Sequence, residues 1–158
     1  MLGADALVVL LSKEEGKISV IAKGIHTLTS KRIAALQTGN IVVYDAKKGT
    51  GVSLYLTHVE LVSHLSTLKR ESQGMKHIYL LLYLYDTLIP AFEPDPTLYT
   101  FCKKQIISLA GMGSAVPSDF VLVNTILSKL GYGTFASLED CIQAIEQMIG
   151  KKIPKSII

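Results

Sequence analysis

The chain has 158 residues, 49% of them hydrophobic, with 16 basic against 13 acidic side chains for a net charge of +3. That composition excludes a disordered polyelectrolyte and is enough for one well-cored domain or two small ones. The charge is uneven: residues 1–70 hold nine Lys/Arg against five acids, and residues 71–158 hold seven against eight. A polyanionic partner is therefore expected to meet the N-terminal half.

In chain order, Leu7 to Leu11 is a short apolar run with β-branched residues and reads as a strand. Glu14-Glu15-Gly16-Lys17 reverses it. Ile18, Val20 and Ala22 then fall on one face of a second strand, with Ser19 and Ile21 on the other. Lys23-Gly24 breaks that strand into a polar loop ending in Ser30-Lys31-Arg32. Ile41 to Ala46 reads as a third strand, Lys47 to Gly51 as a turn, and Val52 to Thr57 as a fourth strand. Four short strands with glycine-marked turns argue for a small β-barrel or a curled sheet.

From His58 the apolar spacing Val59, Val62, Leu65, Leu68 predicts a helix. Gln73 to Leu88 is apolar nearly all round, as a central helix would be. Pro94-Asp95-Pro96 opens another helix that stops at Gly111. Pro117-Ser118-Asp119 caps a further one through Leu130, and Ser137 to Asp140 opens a last one running to about Ile149. The domains are thus expected at residues 1–60, all strand and loop, and 61–158, all helix, packed together.

The search for chemistry is mostly negative. His26, His58, His64 and His77 match no metal-ligand spacing. Cys102 and Cys141 are far apart, each in a helical pattern, and read as buried thiols of a cytoplasmic protein. Gly111-x-Gly113-Ser114 follows a helix and lacks the Lys-Ser/Thr of a phosphate loop. Residues 1–11 contain Asp5 and no basic start, so no secretory leader is expected. The most apolar run, Ile78 to Tyr85, extends loosely to Phe92 but is interrupted by Asp86 and Pro90, and it is too short to span a bilayer. Neither a catalytic constellation nor a cofactor or metal site is expected.

Binding chemistry is better represented. Lys23, Lys31 and Arg32 suit phosphates, and Lys47-Lys48 suits the same rim. Tyr44 and Tyr55 are candidate stacking faces for unpaired bases. The expected DNA-contact set is Lys23, Gly24, Ser30, Lys31, Arg32, Tyr44, Lys47 and Lys48.

The stretch Gly16-Lys17-Ile18-Ser19-Val20-Ile21-Ala22-Lys23-Gly24, followed by Ser30-Lys31-Arg32, Leu36-Gln37 and Ile41-Val42, resembles the bacterial recombination-repair family RecO. Gly51 to Glu60 and Phe120 to Tyr132 also fit that family's pattern. The resemblance implies an α+β protein: an N-terminal OB-fold β-barrel packed on a C-terminal helical domain. It implies binding of single- and double-stranded DNA and annealing of complementary strands. It further implies loading of recombinase with RecR onto strands coated by single-strand-binding protein (SSB), whose C-terminal tail is a partner. A nucleoid-associated place in the cytoplasm follows. The family has a strand before the segment matched by Ala4-Asp5. Either translation starts upstream of Met1 or this barrel is one strand short, with an unpaired edge. Many members carry a four-cysteine zinc site, of which only Cys141 has a counterpart here, so a shortened, zinc-free form is implied. The alternative reading is a protein-interaction module that docks the SSB tail through its helices, with a barrel that is purely structural.

Overall fold

The computed structural model describes residues 5–24, 30–64, 72–111, 116–154 and 156–157. Strands β1 (Ala6–Ser12) and β2 (Gly16–Ala22) form an antiparallel hairpin, in register from Ala6 opposite Ala22 to Ser12 opposite Gly16. Its turn is organised by Ser12, whose hydroxyl accepts from the amides of Glu14 and Glu15, both at 3.3 Å. Helix α1 (Ser30–Ala35) follows, then β3 (Ile41–Lys48) and β4 (Leu54–Ser63), which pair antiparallel. The two hairpins join through a short parallel contact, Val20 with Leu54 and Ile21 with Tyr55. The sheet order is β1-β2-β4-β3. β1 and β3 are its two ends, so among the described residues the sheet is an open OB-like form and not a closed barrel.

Alternation builds one core beneath this sheet. Ile18, Val20 and Ala22 of β2 are buried with Leu56 and Val59 of β4 and with Ala35 of α1. Val8, Leu10, Val42, Tyr44, Ala46 and Leu54 pack against them. Helix α1 ends where the Asn40 side-chain amide donates to the carbonyls of Ala34, at 2.7 Å, and Ala35, at 3.1 Å.

Three expectations are corrected here. Ser30-Lys31-Arg32 is not loop but the start of α1, a segment that continues into the helix formers Ala34 and Ala35. Lys47-Lys48 is the end of β3; the turn is tighter, closed by the Gly49 amide on the Ser53 carbonyl at 2.8 Å, and Val52 lies in it, 91% exposed. The helix expected from His58 does not form over the described part, because β4 continues to Ser63. The register explains the misreading. Asp45 faces His58 and Ala46 faces Leu56, so Thr57 is an extra residue, a β-bulge. The bulge moves the next core position from residue 58 to Val59. The resulting spacing of three imitates a helix. Leu65, Leu68, His26, Gly113 and Ser114 lie outside the described residues.

The chain divides into two compact units, Met1–Leu65 with Pro90–Lys104 and Ser66–Ile89 with Gln105–Ile158. In the first, the strap at residues 90–95 lies along β2: Ala91 bridges Lys17, and the Phe92 amide donates to the Lys17 carbonyl at 2.9 Å. Gly16 is required by that crossing. Its φ is +72°, and a Cβ there would sit 2.4 Å from the Glu93 carbonyl oxygen.

The helices are α2 (Ser72–Leu88), α3 (Pro96–Gly111), α4 (Asp119–Lys129) and α5 (Leu138–Ile149). Their starts follow the sequence reading. Asp95 accepts from the amides of Thr97 and Leu98, Ser118 from Val121, and Ser137 from Asp140. In the second unit, Ile78, Leu81, Leu84, Leu122, Ile126, Leu127, Cys141 and Ile145 are buried. His77 of α2 is buried there too, with Nε2 3.0 Å from Asp119 Oδ1 in the first turn of α4. No helix among the described residues is long and apolar enough to cross a membrane.

Candidate nucleic-acid interface

The sheet has a second face, and register identifies its occupants. Leu7 stands opposite Ile21, Ile21 beside Tyr55, and Tyr55 opposite Lys47. Each alternates with a core residue, so this row of four crosses the whole sheet on the face turned away from the core. Leu7 is 70% exposed and Lys47 is exposed. Lys23, one residue past Ala22, reaches back over the row: its Nζ lies 4.4 Å from the centre of the Tyr55 ring, a cation–π contact. The ring is seated against the β3–β4 turn. A Cβ on Gly49 would come within 2.2 Å of Tyr55 Cε2, so only glycine leaves room for the ring.

Gly24 takes φ +61°, and its amide donates to Asp5 Oδ1 at 3.0 Å, which fixes the backbone just after Lys23. Asp5 therefore borders the basic face at one corner, and Asp45, opposite His58, borders it farther along β3. Between them, Lys23 and Lys47 flank Tyr55.

The other expected contacts are dispersed. Tyr44 stands opposite Val59 and packs on the core, on the opposite face from Tyr55. Its phenol donates to Glu15 Oε2 at 2.9 Å. Burial, reinforced by Glu15 and Glu14, raises that phenol above its ordinary pKa. A phosphate beside it would meet two carboxylates. Lys48 is opposite Leu54 and so leaves the sheet on the face opposite Lys47. The Arg32 guanidinium donates to the carbonyl of Thr57, the bulge residue left without a ladder partner. The Thr57 hydroxyl in turn donates to the Asp45 carbonyl at 3.0 Å. Arg32 thus ties α1 to the bulge. Ser30 and Lys31 begin α1, and their side chains lie outside the described residues.

Of the eight residues expected to touch DNA, the structure gathers Lys23, Gly24 and Lys47 around Tyr55. Sequence reasoning named Tyr55 with Tyr44 as a candidate stacking face but did not place it in the contact set. The signal for it is its place between two core leucines, Leu54 and Leu56, which turns it outward. The described residues contain no cluster of three His, Cys, Asp or Glu that could hold a metal ion.

Fold and site together define an α+β protein whose open OB-like sheet displays an aromatic ring between two lysines. Residues 3–65 match the family described as Recombination protein O N terminal. The chain is 28% identical over 145 residues to the DNA repair protein RecO of Cutibacterium acnes, covering 89% of this chain and 58% of that protein. It is 29% identical over 147 residues to the DNA repair protein RecO of Heliobacterium modesticaldum, covering 90% and 52%. A third RecO, from Symbiobacterium thermophilum, is 29% identical over 96 residues, 61% of this chain and 38% of that protein. Residues 3–65 thus match the RecO N-terminal family, in keeping with the resemblance read from Gly16 to Val42. The chain spans little more than half the length of the first two relatives it matches.

Proposed function

We propose that this chain is a non-enzymatic mediator of DNA repair and homologous recombination. It binds single- and double-stranded DNA, anneals complementary strands, and helps load recombinase onto SSB-coated strands together with RecR. Residues 1–60 carry the DNA contact and residues 61–158 the helical partner surface, in the bacterial cytoplasm and with no cofactor. The observation that carries the DNA-binding part is the pair of lysines, Lys23 and Lys47, flanking Tyr55 on an exposed sheet face. Cations placed around an aromatic platform are how open sheets hold nucleic-acid strands. The similarity to three DNA repair proteins RecO supports the repair role.

Fluorescence anisotropy with labelled single-stranded DNA tests this reading. Affinity is expected to fall steeply with salt, with a log–log slope of about −0.7 for each phosphate neutralised. Combined Lys23→Ala and Lys47→Ala changes are expected to flatten that slope and weaken binding. Salt-independent affinity, or affinity the double change leaves intact, would overturn it.

A second reading has its own observation. In the helical unit Tyr79, Ile107, Val121, Tyr132 and Met148 are each at least 40% exposed, which suits docking of an apolar, acidic peptide such as the SSB tail. A pull-down with that peptide, insensitive to changes in the sheet and accompanied by no DNA binding, selects this reading over the first.

A further inference from the structure

We propose that Tyr55, with Lys23 and Lys47, is the seat of one unpaired nucleotide of single-stranded DNA, and that the base takes the place on the ring now held by the Lys23 ammonium. This inference rests on the DNA-binding reading above and assigns it a contact residue and a strand preference.

Four observations lead to it. The ring lies on the face of the sheet turned away from the core, in register with Ile21 and Lys47. It is held by the turn at Gly49, where any side chain would displace it. A ring fixed in this way loses little rotamer freedom when a ligand stacks on it. Its present companion is the amine of an exposed lysine, and a solvated cation–π contact is weaker than the stacking of a nucleobase on an aromatic ring. A base therefore displaces Lys23 from the ring. The displaced ammonium stays on a four-carbon stem beside the ring, where it meets the phosphate of the incoming nucleotide. Lys47, directly across the strand pair from Tyr55, meets the neighbouring one. Asp5 and Asp45 bound the face, so the phosphate path is confined to the corridor between the two lysines.

The strand preference follows from the same geometry. Lysines serve the phosphates of duplex and single strand alike, but a ring can stack only on a base free of its own stack. Tyr55 therefore adds affinity for single strands alone.

The test uses the full chain with labelled oligo(dT) of about 15 nucleotides, within the span one OB-like sheet covers, and a duplex of equal length. Tyr55→Leu is expected to weaken oligo(dT) binding about tenfold and to leave the duplex affinity where it was. Tyr55→Phe is expected to bind as the parent does. Gly49→Ala keeps every DNA-contacting side chain but pushes the ring from its seat, and is expected to reproduce the Tyr55→Leu loss. Thermal melts of each variant confirm that the sheet is folded. Lys47→Ala, an exposed change, supplies a second route: it lowers the salt slope by about 0.7 on oligo(dT). If Tyr55→Leu and Gly49→Ala bind oligo(dT) as the parent does, the seat is wrong while DNA binding stands. Equal losses on duplex and single strand also overturn it, since a stacking contact cannot act on both. A parent chain that binds neither DNA overturns the DNA-binding reading itself, and this inference with it.

Discussion

Tyr44 and Tyr55 sit on adjoining strands and have opposite surroundings. Tyr44 faces the core, leans on Val59, and spends its hydroxyl on Glu15 in the acidic β1–β2 turn. Tyr55 faces outward, with the Lys23 amine over its ring, Gly49 of the β3–β4 turn beside it and a second lysine across the strand pair. The two residues are chemically identical. The pleat decides that one is structural and the other is available to a ligand. The same division separates the basic residues: Arg32 is committed to the bulge carbonyl of Thr57, whereas Lys47 is exposed.

The largest expected effect that can break this comparison is on stability. Tyr44→Ala removes a half-buried ring from the sheet core and should cost about 2 kcal/mol. Tyr55→Ala, on the exposed face, should cost about half that or less. Urea unfolding of the two variants measures the difference, and the reverse order would mean the faces have been assigned the wrong way round. Arg32→Ala comes next. It leaves the bulge carbonyl without its partner and should cost about 1 kcal/mol, with little change in the salt dependence of DNA binding. A flattened salt slope with unchanged stability would instead make Arg32 a phosphate contact. A smaller effect separates the neighbouring lysines. Lys47→Ala should reduce the salt slope on single-stranded DNA by about 0.7, whereas Lys48→Ala, leaving the sheet on the core side, should reduce it less. Equal slopes would show that the strand end, rather than the face, sets the contact.

Much of this layout is written in local sequence, and the failures have specific causes. Asp95, Ser118 and Ser137 start helices for reasons contained within four residues, and all three were legible. Ile18, Val20 and Ala22 declare the core face of β2 by strict alternation. The face of Tyr44 was not legible, because Ile41-Val42-Val43 is a continuous apolar run that alternation cannot orient. Neither was the length of β4: one extra residue at Thr57 changes the spacing from two to three between Leu56 and Val59. The role of Arg32 depends on that same bulge, 25 residues farther along the chain, and no local pattern in residues 30–35 contains it.

The smallest expected effect concerns the second unit, where no DNA contact has been placed, and it serves as the control for the sheet. Glu146 of α5 accepts from Lys152 Nζ at 2.8 Å and from the Ile153 amide at 3.0 Å, so it ties down the segment that follows Gly150. The Lys152 hydrogen bond, followed by that of the Ile153 amide, holds this carboxyl below its ordinary pKa. A carboxyl depressed by folding contributes its stability fully above its unfolded value and loses it as pH falls through the folded value. Acidification below the ordinary glutamate range should therefore release the Ile153 amide, seen as faster hydrogen exchange or a shifted NMR resonance there. Glu146→Gln should abolish that pH response. The same titration should leave the Tyr55 ring unmoved, because the Glu146 contacts with Lys152 and Ile153 lie in the other unit. A pH response at Tyr55 that tracks Glu146 would mean the two units are energetically coupled, and the sheet could then no longer be treated as an independent binding surface.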